Sequence, residues 1–204
     1  MIIAIAANDE QKQALEKKGF SENITVLWAG GTVELLAQAG ADVFIDCLFT
    51  GSTVPQTLVP LLIHSPLVTL DLLGAGNNVA RFCAWNSFVE RPVWEMAVSK
   101  ETNPMWLQAL METIGWQFRL VKDEPGLITP RVVSMIINEA FFALDDDISS
   151  KADIDTAMKL GTNYPYGPFE WAEKIGVENI YMLLQKLSET DKRYTPAISM
   201  AVNG

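Results

Sequence analysis

The chain has one histidine, His64, and two cysteines, Cys47 and Cys83. A single imidazole removes histidine-rich zinc sites and obliges any imidazole-dependent reaction to use that residue. The thiols lie far apart and neither belongs to a CxxC pair. The sequence therefore predicts no disulfide framework and points to a reducing cytoplasm. No apolar run approaches the roughly 18 residues of a membrane-crossing helix. The apolar start, Met1 to Ala7, is short, with no basic stretch before it and no small-residue cleavage pattern after it, which reads against a secretory signal. Cations are scarce too: Lys plus Arg is 15 against 25 Asp plus Glu, a formal net charge of −10. An acidic surface repels phosphate backbones, so neither nucleic acid nor an anionic membrane is an expected partner. What is present, 49% apolar and 20% charged residues over 204 positions, suits a folded globular chain of one large or two small domains.

The first half alternates two kinds of segment. Ile2–Ala6, Ile24–Trp28, Val43–Phe49, Leu61–Ile63 and Phe82–Trp85 read as buried strands. A polar helix over Gln11–Lys18 follows the first strand; Asp9-Glu10 at its start and Lys17-Lys18 at its end complement the dipole. Thr32 is a candidate cap for a helix reaching Gln38, and Pro55 a candidate start for a short helical turn. Strands separated by short helices predict βαβ units and a mainly parallel sheet. The second half changes character. Met105–Ile114 is an amphipathic helix and Trp116–Val121 one last strand. After the break at Asp123-Glu124-Pro125-Gly126, helices are predicted over Leu127–Leu144, from the Ser150 cap to Gly161, from Pro168 to Gly176, and over Asn179–Leu187. The prediction is an α/β domain over residues 1–123 and an all-α, bundle-like domain over 124–204.

Three segments carry a more specific signal. Pro125-Gly126-Leu127-Ile128-Thr129-Pro130-Arg131 leads to Asn138-Glu139-Ala140. Then come Ala152-Asp153-Ile154-Asp155-Thr156-Ala157-Met158-Lys159-Leu160-Gly161 and Asn163-Tyr164-Pro165-Tyr166-Gly167-Pro168-Phe169-Glu170. Together they resemble the PGFxxNR…NEA, EDIDxAMKLG and GYPMGPFE segments of the 3-hydroxyacyl-CoA dehydrogenase family. The resemblance covers about Arg81 to Tyr194 well and the first eighty residues by architecture alone. It implies a Rossmann-like domain, here shortened, that binds NAD, and a helical domain through which two copies dimerise. It also implies oxidation of the 3-hydroxyl of an acyl-CoA, with hydride passed to NAD. Read from the residues themselves, the helical block is structural: Gly161 and Gly167 permit tight turns, and Tyr164, Tyr166, Phe169 and Trp171 anchor packing.

The family's catalytic pattern does not carry over. Its base is a His in a segment resembling RFxGxHFFNPxPVMxLVE, oriented by the Glu at the end. Arg81-Phe82, Phe88 and Pro92-Val93 fix the register without gaps, which places Asn86 at the His position and Val98 at the Glu position. An amide cannot gain a proton near neutral pH. Glu90, Glu95 and His64 are the weak substitutes for the base, with solvated charge the ordinary reading of the two glutamates and a structural role that of the histidine. The family's substrate-contacting Asn falls on Pro130. Its NTSSL element corresponds to Ile63-His64-Ser65-Pro66-Leu67, which makes Ser65 and Asn86 the candidate substrate residues.

The cofactor turn departs as well. Ala6-Ala7-Asn8-Asp9-Glu10-Gln11 contains no glycine, Asp9 and Glu10 would repel a pyrophosphate, and no Lys or Arg occurs between Lys18 and Arg81. Ala29-Gly30-Gly31 offers only part of a displaced phosphate loop, and an ordinary turn is the simpler reading. The sequence thus predicts a non-catalytic relative that binds an acyl-CoA or dimerises through its helical domain. The alternative is an NAD-dependent oxidoreductase on 3-hydroxyacyl-CoA with an altered site.

Overall fold

The computed structural model describes residues 1–202. They form two compact units, Met1–Leu127 and Ile128 onward. The first holds seven strands: β1 (Ile2–Ala6), β2 (Thr25–Ala29), β3 (Val43–Asp46), β4 (Leu61–His64), β5 (Val79–Phe82), β6 (Val93–Ala97) and β7 (Gln117–Leu120). They lie in the order β2-β1-β3-β4-β5-β6-β7. Neighbours are parallel from β2 to β5, β6 is antiparallel to β5, and β7 is parallel to β6.

Burial of both sheet faces explains the unbroken apolar runs of the central strands. Ile3, Ile5, Val43, Ile45, Leu62 and Phe82 point to one side, with Leu15 of α1 (Asp9–Lys18) and Leu107, Met111 and Ile114 of α3 (Met105–Ile114). Ala4, Ala6, Phe44, Leu61 and Ile63 point to the other, packed by Leu35 of α2 (Thr32–Leu36) and by Phe49, Val54, Leu70 and Leu73 from loops. Loops alone make the β3–β4 and β4–β5 crossovers, which is how the unit is shortened.

Several local expectations need correction. Pro55 starts no helical turn; residues 54–57 are irregular, and the Val54 N–H pairs with the Leu73 carbonyl across the loop. The strand expected at Phe82–Trp85 is Val79–Phe82 instead, because the Ala84 N–H goes to the His64 side chain and not to a neighbouring strand. Gly31, not Thr32, occupies the cap of α2, and the Thr32 hydroxyl donates to Asp46. Strand β6 was not expected, although Trp94 and Met96 alternate inward along it. Residues 123–127 stay with the first unit: the Arg81 guanidinium is ion-paired with Asp123 and donates to the Ser65 carbonyl (2.7 Å) and the Glu124 carbonyl (2.6 Å).

The second unit contains α4 (Thr129–Asp145), α5 (Lys151–Thr162), α6 (Pro168–Ile175), α7 (Val177–Ser188), a 3₁₀ turn (Lys192–Tyr194) and α8 (Ile198–Val202). Pro130 sits in the first turn of α4, where its missing N–H costs no helical bond. The last helix, α8, lies in a stretch for which the sequence predicted none. Among the described residues no helix is long and apolar enough to cross a membrane.

Candidate functional site

In this strand order the chain leaves β1 toward β2 and returns to β3, so the sheet has a switch point between β1 and β3. Ligands of open α/β sheets bind outside the carboxyl ends of the strands at such a point. The residues there are Ala7 and Asn8 after β1, Cys47 after β3, His64 at the end of β4, and Ala84 beyond β5.

Gln11, in the first turn of α1, fills this place. It is 5% exposed. Its Oε1 accepts the Asn8 N–H (2.9 Å), and the Asn8 side chain accepts the Gln11 N–H (2.8 Å), a reciprocal capping box. The Gln11 Nε2 donates to the Ala84 carbonyl (2.7 Å) and the Cys47 carbonyl (3.4 Å). Ala84 is held on its other side as well, since its N–H donates to His64 Nδ1 (2.8 Å). Polar contacts thus run from Asn8 through Gln11 and Ala84 to His64, tying together the exits of β1, β3, β4 and β5.

That bond fixes the state of His64. Nδ1 is an acceptor, so the neutral ring carries its proton on Nε2. Burial pushes the imidazole pKa down to about 4. Its basic nitrogen is already occupied by a backbone N–H, an arrangement of a structural ring more than of a proton acceptor.

The other candidates scatter around this crevice. Asn86 Nδ2 donates to the Glu10 carboxylate (2.8 Å) at the exposed start of α1. Glu90 is exposed in the turn before β6, and Glu95 pairs in register with Arg119 of β7. Val98 lies just past β6 and lines a cavity of about 500 Å³ beside Lys100 and Lys122. The Ser65 hydroxyl donates to the Val68 carbonyl (2.7 Å) within its own turn. Asp46 was overlooked in the sequence, though it is the one acid in the apolar run Val43–Phe49. It is buried at the end of β3, accepts from Thr32 Oγ1 (2.6 Å) and the Leu48 N–H (3.0 Å), and burial raises its pKa.

A family model described as the 3-hydroxyacyl-CoA dehydrogenase C-terminal domain matches residues 126–203. The chain belongs to the 3-hydroxyacyl-CoA dehydrogenase family. The 3-hydroxybutyryl-CoA dehydrogenase of Bradyrhizobium diazoefficiens is 26% identical over 192 residues, 91% of this chain and 57% of that protein. The 3-hydroxyadipyl-CoA dehydrogenase of Escherichia coli is 47% identical over 78 residues, 37% of this chain and 16% of that protein. Human mitochondrial hydroxyacyl-coenzyme A dehydrogenase is 31% identical over 134 residues, covering 62% and 42%. The chain thus spans little more than half the length of these curated relatives, or less. The crystal structure of (S)-3-hydroxybutyryl-CoA dehydrogenase from Ralstonia eutropha has a TM-score of 0.73 at 19% identity, over 98% of this chain and 92% of that one, a likeness of fold.

The family's dinucleotide can be tested against the crevice. A G-x-G-x-x-G pattern opening the first helix would place its small residues at Ala6, Asn8 and Gln11. Asn8 and Gln11 instead carry side chains bonded to each other's backbone, and the Gln11 amide lies across the exits of β3 and β5. At the end of β2, where a carboxylate would meet the ribose, stand Ala29 and Gly30; the Gly30 N–H donates to Glu34 (2.7 Å). Gly30-Gly31 is an ordinary turn into the five-residue α2. Asp9 and Glu10 put negative charge on the helix end that a pyrophosphate would need. The residues present do not fit the dinucleotide.

The 3-hydroxyacyl-CoA dehydrogenase motifs of the second unit are explained by packing. Asp155 of α5 accepts the N–H groups of Phe169 (2.8 Å) and Glu170 (3.2 Å), capping α6 from a neighbouring helix. Glu170 accepts the Gly167 N–H (2.9 Å) and pairs with Lys159. Asn138, buried in α4, donates to the Thr195 carbonyl (2.9 Å) and accepts the Ala197 N–H (2.8 Å). Phe169 packs on Phe141, and Trp171 on Tyr164 and Tyr166.

Proposed function

We propose that this chain is a non-catalytic relative of the 3-hydroxyacyl-CoA dehydrogenases, cytoplasmic, that retains the helical unit as a homodimerisation module and binds an acyl-CoA without the dinucleotide. One observation carries the reading: the amide of Asn86, the residue that the family resemblance aligns with the base, is bonded to Glu10. An amide takes no proton from a 3-hydroxyl, and general acid–base catalysis contributes about 10²–10⁴-fold. Support for dimerisation comes from α4. Val132 is 52% exposed, and Val132, Met135 and Ile136 line an open groove of about 410 Å³ with Arg131 and Arg193 at its border. The cysteines are unpaired and buried, in keeping with a reducing compartment.

Titration with NADH and acetoacetyl-CoA, followed by calorimetry and nicotinamide absorbance, tests this. The expected result is no turnover and no saturable NADH binding, with acetoacetyl-CoA binding measured separately. Steady NADH oxidation dependent on acetoacetyl-CoA would favour the altered oxidoreductase. Sedimentation tests the dimer, and a monomer at all concentrations removes that part.

A further inference from the structure

We infer that Gln11 is an internal substitute for the dinucleotide, a side-chain latch that closes the crevice and holds the strand exits together without any ligand. The inference deepens the proposed function and rests on its reading that the dinucleotide is lost.

Three features converge. The first is position: Gln11 stands where the third small residue of a dinucleotide turn lets the helix pack closely on the strand, and its capping partner Asn8 stands where the second lets the backbone approach a pyrophosphate. The second is saturation. Both Nε2 hydrogens and Oε1 are engaged, with the Ala84 and Cys47 carbonyls and the Asn8 N–H. A phosphate group would seek helix-end donors of the same kind as the Asn8 N–H, which the latch already satisfies. The third is continuity. Ala84 is gripped from both sides, its carbonyl by Gln11 and its N–H by His64, so the amide joins a network that spans the exits of four strands. Gln11 is the buried member, with its amide nitrogen and oxygen both bonded; a satisfied buried amide rigidifies what it connects, and one with unmet partners is costly. In a dinucleotide-binding sheet the bound ligand bridges such a crevice; here the chain bridges it with its own carboxamide.

The latch is tested on the full chain, in the absence of acyl-CoA, by amide hydrogen exchange and thermal unfolding. In the wild-type protein without ligand, the Asn8 amide should be protected, and millimolar NADH should change neither its exchange nor the midpoint. Gln11→Ala should release the Asn8 amide by at least about tenfold and lower the midpoint by about 5–10 °C. Gln11→Glu, which sets oxygens against the Ala84 and Cys47 carbonyls, should lower it further. An unprotected Asn8 amide in the wild type overturns the inference, as does an unchanged midpoint in Gln11→Ala or stabilisation of the wild type by NADH. If Gln11→Ala does not fold, wild-type exchange with and without NADH decides. A monomer at all concentrations that binds no acetoacetyl-CoA, beside a protected, NADH-insensitive Asn8, would sink the proposed function and leave the latch, whereas NADH oxidation dependent on acetoacetyl-CoA would sink both.

Discussion

Asp155 and Gly167 approach so closely that a β-carbon on Gly167 would overlap the Asp155 carboxylate. The backbone of Gly167 is ordinary, at φ −72°, so glycine is needed here for room and not for a left-handed turn. Asp155 must come this close to cap α6 through the Phe169 and Glu170 N–H groups. Gly167→Ala should therefore cost about 1–3 kcal/mol, the usual range for overpacking. Asp155→Ala should cost a similar amount through the lost charged cap. The double variant should be less destabilised than the sum, because the alanine at 155 removes the carboxyl carbon and oxygen that the new methyl meets and leaves only the Asp155 Cβ beside it. Denaturant unfolding of the four proteins reads this coupling; strict additivity would refute it.

The Arg81–Asp123 pair should be among the most sensitive positions in the α/β unit. Both side chains are almost fully buried, at 0% and 2% exposure. Burial lowers the Arg81 pKa and the neighbouring Asp123 opposes that shift. Asp123 also accepts the Leu70 N–H (2.8 Å). Removing one member strands the other in a dry site, so Asp123→Ala should cost about 3–5 kcal/mol. Arg81→Met with Asp123→Leu should recover part of that loss, since no charge is left behind. Chemical denaturation of the single and double variants measures the difference, and a double variant worse than Asp123→Ala would contradict it.

His64 predicts a pH dependence with a definite sign. Its folded pKa lies near 4, below the ordinary value of 6.5. Between those values the unfolded chain binds a proton that the folded chain refuses, so stability rises with pH across this window. The contribution is present above about 6.5 and is lost as pH falls toward 4, because protonating Nδ1 removes the acceptor of the Ala84 N–H. Carboxylates titrate in the same range, so the useful quantity is a difference. His64→Gln keeps a possible acceptor and does not titrate. Its stability curve should be flatter than that of the wild type between pH 4 and 6.5, as read by urea midpoints. Parallel curves would show that the imidazole is not linked to folding.

Much of the architecture was legible in residue patterns. Three isoleucines in Ile2–Ala6 mark a strand buried on both faces, and Ser150 three residues before Asp153 marks the start of α5, where the hydroxyl accepts the Asp153 N–H. Strand β6 was harder to see because Trp94 and Met96 alternate inward over only five residues after Pro92. Of the crevice, the absence of glycine could be read, but what replaced it could not. Gln11 resembles any polar residue on an amphipathic helix until the fold brings Cys47 and Ala84, 36 and 73 positions away, against its amide. His64 is similar: its isolation in the sequence drew attention, while its bond to the Ala84 backbone depends on the β4–β5 pairing.

The last prediction concerns supplying the dyad that the proposed function reads as lost. Asn86→His with Val98→Glu returns the family's residue types to their positions. If the missing base were the only defect, turnover should rise toward the roughly 10²–10⁴-fold that acid–base catalysis supplies. Two features of the crevice argue otherwise. The new imidazole would face Glu10, the present partner of the Asn86 amide. More importantly, hydride transfer needs a seated dinucleotide, and Asn8, Gln11 and the acidic first turn of α1 hold that place. The double variant should fold, because Asn86 and Val98 are only partly buried, and should still give no NADH oxidation with acetoacetyl-CoA. Turnover arising from those two substitutions alone would show that the anion cradle works despite its residues, and that the base was the sole loss.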